Sequence, residues 1–423
     1  MSASDHILVN GNKKLSGKVQ ISGAKNSALK LMAASVLARG KTTLHNIPKI
    51  SDIDVMCEVL EFLGAEVARD DHTLIIDTSD IYIWQTPYSL VSKMRASISI
   101  LGPLIGRFGK AKVAMPGGCR IGARKIDMHL VGLSELGVDI KNDHGSILAM
   151  TPNGLHSADI ILDFPSVGAT ENTMMAAIVA SGTTVIQNAA CEPEIVDLAN
   201  MLNSMGAKIS GAGTSMVTIE GVDRKSLHPC EHTCISDRIE AGTFLVGGAL
   251  TRGPLTVCGV DSNYLSLVLM KLKSFGCEVN VDGDEITVMR EKELVASDIQ
   301  TLPFPGFPTD LQAQFMLLAN YAKGISIITE NVFENRFMFA AELGRMGAHI
   351  TIDDQHAVVR GPIELSGAPV NATDLRAGAA LVLAGVMAEG YTEIYGVSHI
   401  DRGYESYVEK LSLLGADCSR KVD

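Results

Sequence analysis

Apolar and polar residues alternate along this chain in two recurring patterns, and their order repeats about every 70 residues. The first pattern is a helical apolar face that runs into a glycine and continues as a strand. Its first copy is Leu60-Glu61-Phe62-Leu63-Gly64-Ala65-Glu66-Val67. It returns at residues 133–140, 202–209, 272–279, 343–350 and 411–418, with glycines at Gly64, Gly137, Gly206, Gly276, Gly347 and Gly415. A glycine just past a helix supplies a left-handed cap, and the alternation after it begins a strand.

The second pattern is apolar on nearly every face and rich in Ala, Met and Leu. It covers residues 26–37, 95–105, 170–180, 237–250, 310–322 and 374–388. Such segments predict helices enclosed within a domain, several of them opened by Asp, Thr or Ser as N-caps. Short β-prone runs follow, as in Thr42-Thr43-Leu44-His45 and Thr183-Thr184-Val185-Ile186. Each unit therefore reads strand, inner helix, strand, loop, surface helix, strand, turn, strand, closed by hairpins such as Thr73-Leu74-Ile75-Ile76-Asp77. Six units of this βαβαββ form predict an α/β protein of two domains with helices inside and sheets outside. The break falls in the polar stretch 225–235. The first domain is expected at 22–232 and the second at 1–21 plus 233–423. The opening strand Ile7-Leu8-Val9 is expected to pair with the C-terminal half and close the sixth unit.

A chain of 423 residues, 46% hydrophobic, is too long for one core and fits this division. The most apolar run, 379–388, is far short of the roughly 20 residues that cross a bilayer, so membrane insertion is not expected. Met1-Ser2-Ala3-Ser4-Asp5-His6 lacks the basic and apolar parts of a signal peptide. Eight cysteines without paired spacing indicate free thiols, and the expected location is the cytoplasm. Cys230 and Cys234 lack a second Cys/His pair at finger spacing, so neither zinc nor any cofactor is expected. A formal net charge of −12 argues against nucleic acid as a partner.

Against that acidic background, cations sit at matching phases of the repeat. Lys25, Arg95, Arg124, Arg336, Arg376 and Arg402 fall at the starts of inner helices or in the loops before surface helices. Equivalent ends of equivalent units can converge, which predicts a cationic cleft for small polyanions held by arginine forks. A cation at a helix start opposes the macrodipole, which favours a ligand role for Lys25, Arg124, Arg336 and Arg402. For Asp237, Glu194 and Asp374, capping is an equal alternative. Lys25 and Arg402 are expected beside solvent. The loop Pro116-Gly117-Gly118-Cys119-Arg120-Ile121-Gly122-Ala123-Arg124 sets a cysteine between two arginines, ahead of the helical spacing that begins at Lys125. Cations and a helix start both favour the thiolate, and glycines permit a hinged lid.

The motifs Gly23-Ala24-Lys25-Asn26-Ser27, Pro116-Gly117-Gly118-Cys119, Ser166-Val167-Gly168-Ala169-Thr170-Glu171-Asn172, Phe307-Pro308-Thr309-Asp310, Glu334-Asn335-Arg336-Phe337, Thr373-Asp374-Leu375-Arg376 and His399-Ile400-Asp401-Arg402-Gly403 resemble, in order, those of the UDP-N-acetylglucosamine enolpyruvyl transferases. The resemblance runs from about Ile7 to the C-terminus. It implies a two-domain inside-out α/β barrel. It also implies transfer of the enolpyruvyl group of phosphoenolpyruvate to the 3-hydroxyl of UDP-N-acetylglucosamine, the first committed step of bacterial peptidoglycan synthesis. Cys119 would be the acid and the target of the epoxide fosfomycin. Asp310 would be the base, and Lys25, Arg124 and Arg402 would clamp phosphoenolpyruvate, supported by Asn26, Arg336, Arg376 and Glu194. Arg95, Arg124, Lys125, Ile126, Asp127, Met128, Ser166, Val167, Gly168 and Val332 would hold the nucleotide sugar.

Two positions depart from the family pattern. Ser99 stands where a tryptophan is usual, and Lys125-Ile126 where Pro-Val often follows the arginine. The alternatives are a 5-enolpyruvylshikimate-3-phosphate synthase-like transferase and a non-catalytic nucleotide-sugar sensor.

Overall fold

The computed structural model describes residues 5–91, 95–115 and 126–421. All six marker glycines adopt positive φ, from 86° to 107°, each just past a surface helix. Those helices are Ser51–Leu63, Asp127–Glu135, Pro193–Ser204, Ser266–Ser274, Met338–Arg345 and Tyr407–Leu413. Only a residue without Cβ enters this region at little cost, so the glycine ends each helix and turns the chain into the following strand.

The described residues form two compact units, one gathering those up to Ser22 and from Ser236 onward, the other Gly23 to Ile235. Each has its own apolar core. In the first, the inner helices Arg238–Thr251, Gln312–Asn320 and Leu375–Met387 pack against one another. All 14 residues of Arg238–Thr251 are buried. In the second, Leu101–Phe108 packs on Val167–Ala177, and the 3-10 segment Arg95–Ile100 contacts Lys25–Ala34. Six small sheets cover these helices, five of four strands and one of three.

Each four-stranded sheet has one parallel pair extended by antiparallel strands, as in Asp159–Ile161 beside Thr183–Gln187. Two first strands come from unexpected parts of the chain. Gly17–Gln20 runs parallel to Leu255–Cys258 and opens the fourth repeat, while Glu231–Thr233 runs parallel to Lys41–His45 and opens the first. His6–Asn10 lies between Tyr391–Tyr395 and Asp417–Lys421, antiparallel to both, so the opening strand completes the sixth repeat as expected. In the second repeat the first strand is reduced to a single bridge, Gln85 with Lys112. Among the described residues no helix is long and apolar enough to cross a membrane.

Candidate functional site

Within the unit from Ser236 onward, the candidate residues gather around one carboxylate. Asp310 lies in the 3-10 turn Thr309–Leu311, which leads into an inner helix without a side-chain cap. Its Oδ1 accepts from Arg336 Nη2 at 2.8 Å and its Oδ2 from Arg376 Nε at 3.2 Å. The two guanidiniums are 5% and 4% exposed and the carboxylate 23%, so buried cations fix a carboxylate that stays partly open.

Both arginines are themselves held. Arg336 lies 5.3 Å from the Phe333 ring centre and donates from Nη1 to Thr309 Oγ1 at 3.2 Å. The Thr309 hydroxyl donates to Glu330 at 2.9 Å, and the other Glu330 oxygen accepts from the backbone of Val332 and Phe333. The Val332 backbone is thereby tied to the same cluster. Arg376 lies 5.3 Å from the Tyr404 ring centre. Burial alone would lower its pKa, but Tyr404, Asp310 and Asp237 outweigh burial and hold the guanidinium charged. Asp374 and Asp237 cap their helices, each accepting two backbone N–H bonds. The capping alternative describes both.

Arg402 corrects an expectation. It is the C-cap of the short helix Ser398–Asp401 and so follows a helix end, where a cation accords with the dipole. Arg420 grips the neighbouring Asp401 carboxylate through two bonds of 3.1 and 2.9 Å.

In the unit from Gly23 to Ile235, Lys25 opens the inner helix Lys25–Ala34 with no side-chain cap before it. The expectation of a solvent-lined lysine is not met: the residue is buried, and Nζ lies 2.7 Å from Asp52 Oδ2. Asp52 sits in the first turn of Ser51–Leu63, so its carboxylate answers both the ammonium and its own helix dipole. Asn26 follows, half-buried. One turn on, Lys30 pairs with Glu171 at 2.7 Å inside the core. Burial pushes the Glu171 carboxyl up to about 7; Lys30 opposes this, while Glu194 and Glu192 add to it. Glu194 is buried in the first turn of Pro193–Ser204.

The predicted nucleotide-sugar residues of this unit fall near one another in the fold. Ser166 caps Val167–Ala177 by accepting from the Ala169 N–H at 3.3 Å, and Val167 and Gly168 form its first turn. Ile126 is the buried N-cap of Asp127–Glu135, followed by exposed Asp127 and half-buried Met128. The helices carrying these two groups pack on each other. Ser99, 2% exposed, packs inside the unit. Cys119, Arg120, Arg124, Lys125 and the side chain of Arg95 lie outside the described residues.

Six of the seven described cysteines have raised pKa values, burial being the leading cause each time; Cys57 and Cys277 reach about 11. These are poor nucleophiles near neutral pH. Sequence reasoning missed Asp52, Thr309 and Glu330. Asp52 carries a local signal, an acid in a helix's first turn, but nothing in the sequence names its partner.

A family model described as EPSP synthase (3-phosphoshikimate 1-carboxyvinyltransferase) matches residues 9–411. A UDP-N-acetylglucosamine 1-carboxyvinyltransferase of Desulfatibacillum aliphaticivorans is 51% identical over 416 residues, 98% of this chain and 99% of that one. Among solved structures, the enolpyruvyl transferase NikO of Streptomyces tendae superposes with a TM-score of 0.90 at 30% identity, covering all of both chains. An EPSP synthase of Acinetobacter baumannii, at 17% identity, has a TM-score of 0.73 over 99% of this chain and all of that one, a likeness of fold alone.

Proposed function

This chain belongs to the UDP-N-acetylglucosamine 1-carboxyvinyltransferase family of enolpyruvyl transferases, and we propose that it moves the enolpyruvyl group of phosphoenolpyruvate onto the 3-hydroxyl of UDP-N-acetylglucosamine with release of phosphate. The observation that carries the reading is Asp310, a carboxylate fixed by two buried guanidiniums yet partly open.

The reaction is addition followed by elimination. In the addition, the methylene carbon of phosphoenolpyruvate gains a proton from Cys119. The sugar oxygen bonds to the neighbouring carbon and gives its own proton to Asp310. In the elimination, the new methyl group gives a proton to the Cys119 thiolate, the carbon–carbon double bond re-forms, and the C–O bond to phosphate breaks, the phosphate leaving with the proton held by Asp310. Lys25, Arg124 and Arg402 carry the phosphate and carboxylate charges as these move. Arg336 and Arg376 hold the base in its direction, so that the hydroxyl meets it without reorganisation. Asn26 and Glu194 support the lysine side. Arg95, Arg124 to Met128, Ser166 to Gly168 and Val332 hold the nucleotide sugar. The reaction belongs to the cytoplasm, where both substrates are small soluble anions.

Phosphate release is the test, with phosphoenolpyruvate plus either UDP-N-acetylglucosamine or shikimate 3-phosphate. Release with the first sugar alone supports the proposal. Release with the second alone supports the shikimate reading. Binding of UDP-N-acetylglucosamine with no release leaves a sensor.

A further inference from the structure

The three segments assigned to the nucleotide sugar within the unit Gly23 to Ile235 are joined by one buried side-chain pair that carries no part of the chemistry above. Asn172, 0% exposed, sits one turn into Val167–Ala177. Its Oδ1 accepts from the Gly102 N–H at 2.8 Å, and its Nδ2 donates to the Ile98 carbonyl at 3.1 Å, inside the segment that Arg95 opens. The same Nδ2 lies 2.8 Å from His129 Nδ1, on the helix that begins with Asp127 and Met128.

These contacts fix the chemistry of the histidine. A backbone N–H can only donate and a carbonyl only accept, so Gly102 and Ile98 settle which end of the amide is which. The amide nitrogen then faces Nδ1, which must accept. His129 is therefore the neutral tautomer with its proton on Nε2. The ring also packs directly on the Ser166–Gly168 segment: a Cβ added to Gly168 would lie 2.6 Å from Cε1 and 2.8 Å from Nε2. Gly132 meets Thr173 and Gly102 meets the Asn172 carbonyl in the same way, at 2.3 and 2.4 Å. Three close helix approaches thus converge on residues 129, 172 and 173.

We propose that the His129–Asn172 pair is a positioning lock for nucleotide-sugar binding, holding the segments of Arg95, Asp127–Met128 and Ser166–Gly168 in one register. This rests on the functional reading above. The pair touches no substrate in this account; it acts through the backbones that do.

The experiment measures UDP-N-acetylglucosamine binding to the full chain by calorimetry, with steady-state kinetics, for His129→Leu, His129→Asn and His129→Gln. Asparagine places an acceptor near the Nδ1 position and glutamine places it about one bond further out. His129→Asn should bind close to wild type. His129→Leu and His129→Gln should bind about tenfold more weakly, as for one buried hydrogen bond lost. Their KM for the nucleotide sugar should rise while kcat at saturation holds, a split that general loss of fold would not give. Wild-type binding by His129→Leu, or equal binding by the Asn and Gln variants, overturns the lock. If His129→Leu does not fold, the Asn and Gln pair decides alone. A wild-type chain that binds no UDP-N-acetylglucosamine overturns the functional reading instead.

Discussion

The Lys25–Asp52 pair should behave asymmetrically when either partner is removed. The side chains are 10% and 4% exposed and 2.7 Å apart. With an effective dielectric near 20, charges at this separation attract by about 6 kcal/mol, offset by several kcal/mol per ion of lost hydration. The intact pair is therefore near neutral, whereas deleting one partner takes the adjacent counter-charge from the other and should cost about 3–5 kcal/mol. The helices break the tie. Asp52 in the first turn of Ser51–Leu63 is favoured by that dipole, while Lys25 at the start of Lys25–Ala34 is disfavoured by its own. Each effect is worth about 0.3–1 kcal/mol, so Asp52→Asn, which removes the carboxylate beside the ammonium, should cost about 1–2 kcal/mol more than Lys25→Met. The double variant should recover about 2–3 kcal/mol of the summed losses, as coupled neighbours do. Urea unfolding followed by fluorescence of Trp84 is the assay, since the chain's one tryptophan lies in the same unit. Additive losses, or a lysine variant weaker than the aspartate variant, would refute the argument. Lys25→Met should in addition lose at least about 2 kcal/mol of transition-state stabilisation; stability loss with normal turnover would remove it from the site.

Asp310→Asn should keep the fold and lower kcat by at least about a hundredfold, as for loss of a general base; turnover near wild type would make Asp310 a structural partner of its arginines. Near pH 7 the folded Glu171 carboxyl is half protonated, whereas in the unfolded chain it loses its proton near 4.5. The folded state thus binds more protons in this window, so stability should fall by about 3 kcal/mol as pH rises from 4.5 to 7 and then level off. A Glu171→Gln chain showing the same slope would exclude Glu171 as its source. Fosfomycin should label Cys119 first, faster with UDP-N-acetylglucosamine present. Cys119→Asp should escape the drug, and peptide mapping that finds Cys57 or Cys191 modified instead would sink the assignment.

What could be read from the sequence divides along a physical line. The repeats were legible because each rests on a local necessity, a glycine at positive φ after a helix. The inner helices were legible because apolar residues cover nearly every face, as 14 buried residues in Arg238–Thr251 require. The exchanged first strands were not. Glu231–Thr233 is three residues long, too short for an alternation, and its place is set by pairing with Thr43 to His45 nearly 190 positions away. Shorter separations hid the pairings in the site as well, 26 positions for Asp310 with Arg336 and 66 for Asp310 with Arg376. Lys25 was identifiable as a cation against its dipole, but its carboxylate partner lies on another helix. Asn172 fell inside a recognisable motif, while its bonds to Gly102, Ile98 and His129 belong to the tertiary structure alone.

The distribution of caps connects stability to the proposed chemistry. Three inner helices begin conventionally: Ser166, Asp237 and Asp374 each turn a side-chain oxygen onto the backbone N–H groups that follow, whereas Leu101–Phe108 begins behind Ile100 without a cap. The helix opened by Lys25 and the turn that carries Asp310 have no such cap, although Ala24 and Pro308 both have the extended backbone that a cap adopts. A missing cap costs about 1 kcal/mol, and a cation at the first position adds to that cost. Locally, therefore, the start of the inner helix at Lys25 is doubly unfavourable, with no cap and a cation at its first position, while Asp310 in its own first turn accords with the dipole. The surrounding core offsets it, through Asp52 in one unit and through Arg336 and Arg376 in the other. At Lys25 this is the pattern expected where a position is kept for its chemistry, since stability alone would favour a capping residue ahead of the helix and no cation at its first position.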